Sequence, residues 1–171
     1  DLMTALANLY SGCVHEENGE NDAAMNDYNL AFNAAKIVND SLIMARILLY
    51  KGGLLSKQGL YLESIKKYEE AAALCSSYAD KKASCYLAIG NRFLPLNNYD
   101  SAFYYYDEGL ELARNSGDSS LYGKFLHNIG LTYLETNNYD TAAKYLREAR
   151  EFVRDTAQSV KFHLTFASLY L

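Results

Sequence analysis

The segment Asn97-Asn98-Tyr99-Asp100 returns forty residues later as Asn137-Asn138-Tyr139-Asp140, and each copy runs on into a hydroxyl residue and an alanine, Ser101-Ala102 and Thr141-Ala142. A tetrapeptide that recurs at a fixed interval together with its flank implies an array built from one structural unit. Read outward at that interval, Gly12, Gly52, Gly90 and Gly130 lie 40, 38 and 40 residues apart, and Ala167 takes the same place 37 residues further on. The chain therefore reads as four repeats and half of a fifth.

Around each glycine the apolar residues follow helical spacing, as in Tyr86, Ile89, Gly90, Phe93 and in Leu126, Ile129, Gly130, Tyr133. This marks the first helix of each repeat. About twelve residues later come a small residue, a large one and a second small one: Ala24, Tyr28, Ala31; Ser64, Tyr68, Ala71; Ala102, Tyr106, Gly109; Ala142, Leu146, Ala149. Small residues at fixed points let two helices approach closely, and the large residue between them fills the gap. Asn18-Gly19, Gln58-Gly59, Asn97-Asn98 and Asn137-Asn138 supply turns within the pairs. Asn39-Asp40-Ser41, Ser116-Gly117-Asp118 and Asp155-Thr156 supply stops and caps between them. The spacing predicts helices over 3–17, 21–38, 41–57, 61–78, 80–95, 99–116, 119–136, 140–155 and 157–171. Asp1 is read as running into the first of these without a polar cap, and the start and end together suggest part of a longer array.

The small-x3-aromatic-x2-small run, preceded by apolar-x2-apolar-Gly-x2-aromatic, resembles the tetratricopeptide repeat. The match is fullest in the third and fourth repeats. In the first two, Ser11 and Lys51 stand at a usually apolar position and His15 replaces an aromatic; Lys36, Ser76, Arg114 and Arg154 stand where a proline usually closes the second helix. With that proline absent and a period of 37 to 40, second helices about one turn longer than usual are expected. The resemblance implies an all-α fold, an α-α superhelix or right-handed solenoid of antiparallel helix pairs. It implies a single array over 1–171: repeat 1 over 3–38, repeat 2 over 41–78, repeat 3 over 80–116, repeat 4 over 119–155, and a half repeat or capping helix over 157–171. The long period is similar to that of arrays in bacterial regulatory and sensor proteins.

The same resemblance places ligand-facing side chains two, three and six residues before each repeat glycine and one after it. A peptide-binding groove is thereby expected to include Tyr10, Arg46, Leu49, Tyr50, Leu87, Asn91, Lys124, His127, Asn128 and Lys161. Asn91, Asn128 and Lys161 also match three of the five positions with which some family members clamp a peptide carboxylate, while Leu87 and Thr165 occupy the other two, where cations are needed.

Composition bounds the alternatives. A formal net charge of -5 and the lack of a basic stripe argue against a nucleic-acid surface. No run of eighteen apolar residues and no basic-then-apolar leader occur, so no membrane segment is expected. His15, His127 and His163 form no catalytic or metal motif, Cys13, Cys75 and Cys85 show no metal spacing, and Gly52-Gly53 lacks the context of a phosphate loop. These readings lead to a non-catalytic binding scaffold for a protein or peptide, without cofactor or metal, in the reduced cytoplasm by default or in the periplasm if it belongs to a sensor. The rival reading is an oligomerisation or intramolecular regulatory module. In it the last helix, with Phe162, Phe166, Leu169 and Tyr170 on one face, packs on another copy of the chain or on another domain.

Overall fold

The computed structural model describes residues 1–152, all of whose regular structure is helical. The chain divides into two compact units, Asp1–Tyr78 and Ala79–Leu171. The first unit contains α1 (Leu2–Glu17), α2 (Asn21–Ile37), α3 (Ser41–Lys57) and α4 (Tyr61–Leu74). The described part of the second contains α5 (Ala79–Phe93), a 3-10 turn at Leu94–Leu96, α6 (Tyr99–Ser116), α7 (Ser119–Glu135) and α8 (Tyr139–Arg150). The expected helix over 157–171 lies outside the described residues.

Within the first unit α1 pairs with α2, α3 pairs with α4, and α2 lies against α3. Within the second, α5 pairs with α6, α7 pairs with α8, and α6 lies against α7. Among the described residues each unit thus shows two antiparallel helix pairs, stacked second helix to first helix. The predicted small and large positions explain the pairing. A Cβ on Gly12 would fall 2.5 Å from the Tyr28 ring, one on Gly52 2.5 Å from Tyr68 and one on Gly130 2.7 Å from Leu146. The glycine is therefore the seat of the large residue of its own pair. Tyr28 and Leu146 are fully buried in those seats, Tyr106 is fully buried in the matching seat at Gly90, and Ala24, Ala31, Ala102, Ala142 and Ala149 are buried around them. Each such large side chain withdrawn from water contributes about 1.5–3 kcal/mol.

The repeated Asn-Asn-Tyr-Asp segment divides its labour between two helices. Asn97 and Asn137 take the left-handed conformation, with φ of 54° and 60°. Asn98 and Asn138 then cap the next helix, accepting from the backbone N–H of Ser101 at 3.1 Å and Thr141 at 3.4 Å. Tyr99 and Tyr139 donate back to the Asn97 and Asn137 Oδ1 at 3.3 and 2.9 Å. Asp100 and Asp140 fall in the first helical turn, where a negative charge meets the positive end of the helix dipole.

Four local expectations are corrected. Asp1 is itself a cap, its Oδ1 accepting from the Thr4 N–H at 2.8 Å. α4 ends at Leu74 instead of 78, because buried Cys75 closes it and Tyr78 N–H turns back to the Cys75 carbonyl at 2.9 Å. The extra turn predicted for second helices is present in α2 and α6, of 17 and 18 residues, but not in α4, of 14, or in α8, of 12, which ends at Arg150 and not at 155. α5 gives way at Phe93 to the 3-10 turn containing Pro95, whose ring nitrogen cannot continue the helical ladder.

Candidate functional site

In the first unit the predicted ligand-facing residues sit on α1 and α3. Tyr10 is 64% exposed, Tyr50 is 41% exposed, Arg46 is exposed and Leu49 is half-buried. Arg46 and Tyr50 are one helical turn apart and share a face. The Tyr50 ring leans on that of Tyr28, with centroids 5.8 Å apart. Burial pushes the Tyr50 hydroxyl above its ordinary range and the Cys13 thiol beside it adds to this, while the Arg46 guanidinium pulls the other way. Tyr10 adds to the upward shift of the same hydroxyl.

Behind that face lies a polar link that spacing did not reveal. The Tyr28 hydroxyl donates to Glu16 Oε2 at 2.6 Å, and Lys57 of α3 donates to Glu16 Oε1. Burial, then the hydrogen bond to Glu16, pushes the Tyr28 hydroxyl far up. His15, the substitute for an aromatic, has its Nδ1 2.8 Å from Asp27 Oδ2 and its Nε2 3.5 Å from Glu20. The Asp27 carboxyl is held below its usual range chiefly by a hydrogen bond from Ser11, with His15 adding to that and burial opposing it. Here the carboxylate stands between hydroxyl and imidazole. A nucleophile relay requires the imidazole in the middle, so these three residues do not make one.

In the second unit Leu87 and Asn91 stand on α5, and Lys124, His127 and Asn128 on α7; all are half-buried except Lys124, which is exposed. The structure brings the two asparagines together. Tyr106, fully buried on α6, donates from its hydroxyl to Asn91 Oδ1 at 2.7 Å, and Asn128 Nδ2 donates to the same oxygen at 2.7 Å. Burial pushes the Tyr106 hydroxyl up, while Arg92 and hydrogen bonds with Thr132 and Asn128 oppose that shift. Because Asn91 Oδ1 accepts twice, the orientation of its amide is fixed and both of its Nδ2 hydrogens are directed elsewhere. Asn128 also interacts with the Tyr106 hydroxyl, and both amides belong to half-buried side chains. Two amides so held can donate to and accept from a polypeptide main chain.

The predicted carboxylate position Lys161, with Thr165, lies outside the described residues. Among the described residues no group of three His, Cys, Asp or Glu side chains could hold a metal ion, and no helix is long and apolar enough to cross a membrane.

The model of the tetratricopeptide repeat family matches residues 43–115 and 96–155. The chain belongs to the tetratricopeptide repeat family. In this tetratricopeptide chain the glycine and large-residue positions are those read from the sequence, and the Asn-Asn-Tyr106 link is built on one such set. No curated protein matches the sequence.

Solved structures share the fold at low identity. The crystal structure of BtubC (BKLC) from P. vanneervenii is similar with a TM-score of 0.82 at 18% identity, covering 93% of this chain and 68% of that one. The apo form of RapI gives 0.83 at 18% identity over 96% of this chain and 62% of that one. A Rap conjugation gene regulator of the plasmid pLS20, solved in complex with the Phr* peptide, gives 0.78 at 19% identity, covering 95% of this chain. The tetratricopeptide chain spans less than two thirds of the length of RapI and 46% of that of the pLS20 regulator.

Proposed function

We propose that this chain is a non-catalytic scaffold that binds a protein or peptide segment through the exposed faces of its first helices, within a larger bacterial regulatory or sensor protein. The reading treats 1–171 as one array, with repeats over 3–38, 41–78, 80–116 and 119–155 and a closing helix over 157–171, and takes the ligand-facing residues to be those predicted from the repeat register. The observation that carries it is the pair Asn91 and Asn128, half-buried at predicted ligand-facing positions, joined to each other and oriented by a buried tyrosine. An amide held in place from behind loses little conformational freedom when it binds a backbone, which favours recognition of an extended chain. The fold shared with the pLS20 regulator, solved with a peptide, supports the same class of ligand.

The test is selection from a displayed random peptide library on the purified chain, followed by fluorescence polarisation with the selected peptides. Saturable binding is expected, with a loss of about tenfold or more in Asn128→Ala. Absence of any selected peptide, or equal binding by the variant, overturns the reading.

One observation favours the alternative, a module that associates with another copy or domain. Met3 and Val14 on α1 are 73% and 56% exposed, whereas Leu121 and Thr132, which hold the same register positions on α7, are 6% and 0% exposed. That part of α1 is the face a repeat normally buries, and light scattering over a concentration series separates a monomer from self-association. The sequence-based expectation for this reading, the face with Phe162, Phe166 and Tyr170, lies outside the described residues.

A further inference from the structure

The outer face of α1 carries no charge. From Leu2 to Val14 there is no Asp, Glu, Lys, Arg or His, whereas α3, α5 and α7 each carry two or more charged side chains. Along this stretch Met3, Ala7, Tyr10 and Val14 recur at helical spacing on one face, and all four are exposed.

The matching positions on other first helices show what such a face receives inside a stack. Ile47 and Phe125 hold the place of Ala7 on α3 and α7, and both are fully buried. Ile47 shares a cluster with Ala31 of α2, and Phe125 lies so close to Gly109 of α6 that a Cβ there would overlap its ring. A stacked repeat thus sets a small residue of one second helix against a large residue of the next first helix. α1 departs from that rule, because Ala7 is itself small. A second helix bringing Ala or Gly to this place would leave a gap, and a large side chain is what fits.

α1 presents such a side chain one turn away. Met3, Ala7, Tyr10 and Val14 are 4, 3 and 4 residues apart, so the pattern reads the same from either end. Laid antiparallel, two copies of the helix bring Tyr10 of each opposite Ala7 of the other, and Met3 opposite Val14. The surface is therefore complementary to itself about a two-fold axis. Charge agrees with shape: copies of a chain of net charge -5 repel one another, and an uncharged face lets them meet at least cost. Area agrees as well. Leu2, Met3, Tyr10 and Val14 expose on the order of 400 Å² per copy, and with Thr4, Ala7 and Ser11 around them two copies approach the roughly 1,000 Å² at which a specific interface begins.

We propose that α1 is a dimerisation helix that packs antiparallel on α1 of a second copy of this chain, with Tyr10 of each copy seated over Ala7 of the other. The inference rests on the self-association reading above and gives it a face, a register and a symmetry. It makes Tyr10 a contact between copies instead of a ligand contact, and asks nothing of Asn91 or Asn128.

The experiment measures solution mass by light scattering over a concentration series for the wild type, Met3→Glu, Val14→Lys and an equimolar mixture of the two variants. Both positions are exposed, and an acid near the start of a helix and a base near its end suit the helix dipole, so helical circular dichroism should be unchanged. The wild type should dimerise. Each variant alone should associate at least about tenfold more weakly, because its new charge would be buried against an apolar side chain. The mixture should regain a dimer as the new acid of one chain meets the new base of the other, and high salt should weaken that recovery. A wild type that stays monomeric throughout overturns this inference and the self-association reading together. Undiminished dimers in both single variants, or a mixture that stays monomeric, overturn the inference alone and leave association to another face.

Discussion

Asn91 ties the proposed ligand face to the core of the second unit, and removing its side chain should register in stability as well as in binding. The Tyr106 hydroxyl is fully buried and donates to Asn91 Oδ1 at 2.7 Å. A neutral hydrogen bond contributes about 1 kcal/mol net, and a buried hydroxyl left without its acceptor costs about 1–3 kcal/mol. Asn91 is itself half-exposed, so water can reach the vacated place, and Thr132 and Asn128 lie close to the same hydroxyl. Those features set the expected cost of Asn91→Ala at the lower end, about 1–2 kcal/mol. Tyr106→Phe removes the donor but keeps the ring in the Gly90 seat, and should cost about 0.5–1.5 kcal/mol. In the double variant the orphaned hydroxyl is gone, so a coupling of about 1 kcal/mol should remain between the two sites.

Thermal and urea denaturation of the four proteins measure this cycle. For a chain of this size 1 kcal/mol corresponds to about 2–4 °C in Tm, so Asn91→Ala should melt about 2–8 °C below the wild type. Wild-type melting by Asn91→Ala, or losses that simply add in the double variant, would refute the claim that the hydroxyl and the amide depend on each other. Binding must then be read at a temperature where every variant is folded.

Gly52→Ala gains helix propensity of up to about 1 kcal/mol in isolation, but its new Cβ would lie 2.5 Å from the Tyr68 ring, so overpacking should prevail and lower Tm; a higher Tm would show that the close approach is wrong. Asp27 has a depressed folded-state pKa, so its contribution to stability is present above the unfolded carboxylate range and is lost as pH falls through the lower folded value. Acidification from neutral pH should therefore reduce the Tm of the wild type more than that of Asp27→Asn, and equal losses would remove the Ser11–Asp27–His15 cluster from the account.

The repeat register was legible because sterics dictate it. Gly12 and Tyr28, Gly52 and Tyr68, and Gly130 and Leu146 must be small and large whatever the repeat binds, and that constraint survives in the identities of the residues. Turns were legible for the same reason, since few residues besides Asn and Gly accept the positive φ found at Gly19, Asn97 and Asn137. The end of α4 was not, because it depends on the inward packing of Cys75 and no proline or glycine marks the place. Asn91 and Asn128 could be picked out by position, but their joint oxygen could not. That contact joins residues 37 apart through a hydroxyl whose residue had been read as a packing spacer. Glu16 carried no signal, as an acidic residue near a helix end is ordinarily solvated.

The two hidden links nevertheless share one plan. In the first unit a tyrosine of the second helix donates to Glu16 on the first helix, and Lys57 on the next first helix donates to the same carboxylate. In the second unit Tyr106 donates to Asn91, and Asn128 on the next first helix donates to the same amide oxygen. Each relay joins three successive helices through one acceptor, so the closeness of a helix pair and the stacking of the following repeat are fixed together. The chemistry differs in a way that suits different duties. The first relay is ionic, with its lysine 68% exposed, and salt screens part of its strength. The second is made of neutral groups and keeps its geometry at any ionic strength. Of the two, only the amide relay is built on predicted ligand-facing residues, Asn91 of α5 and Asn128 of α7, so a substitution there is expected to change binding as well as stacking, whereas Glu16 and Lys57 lie off the predicted face.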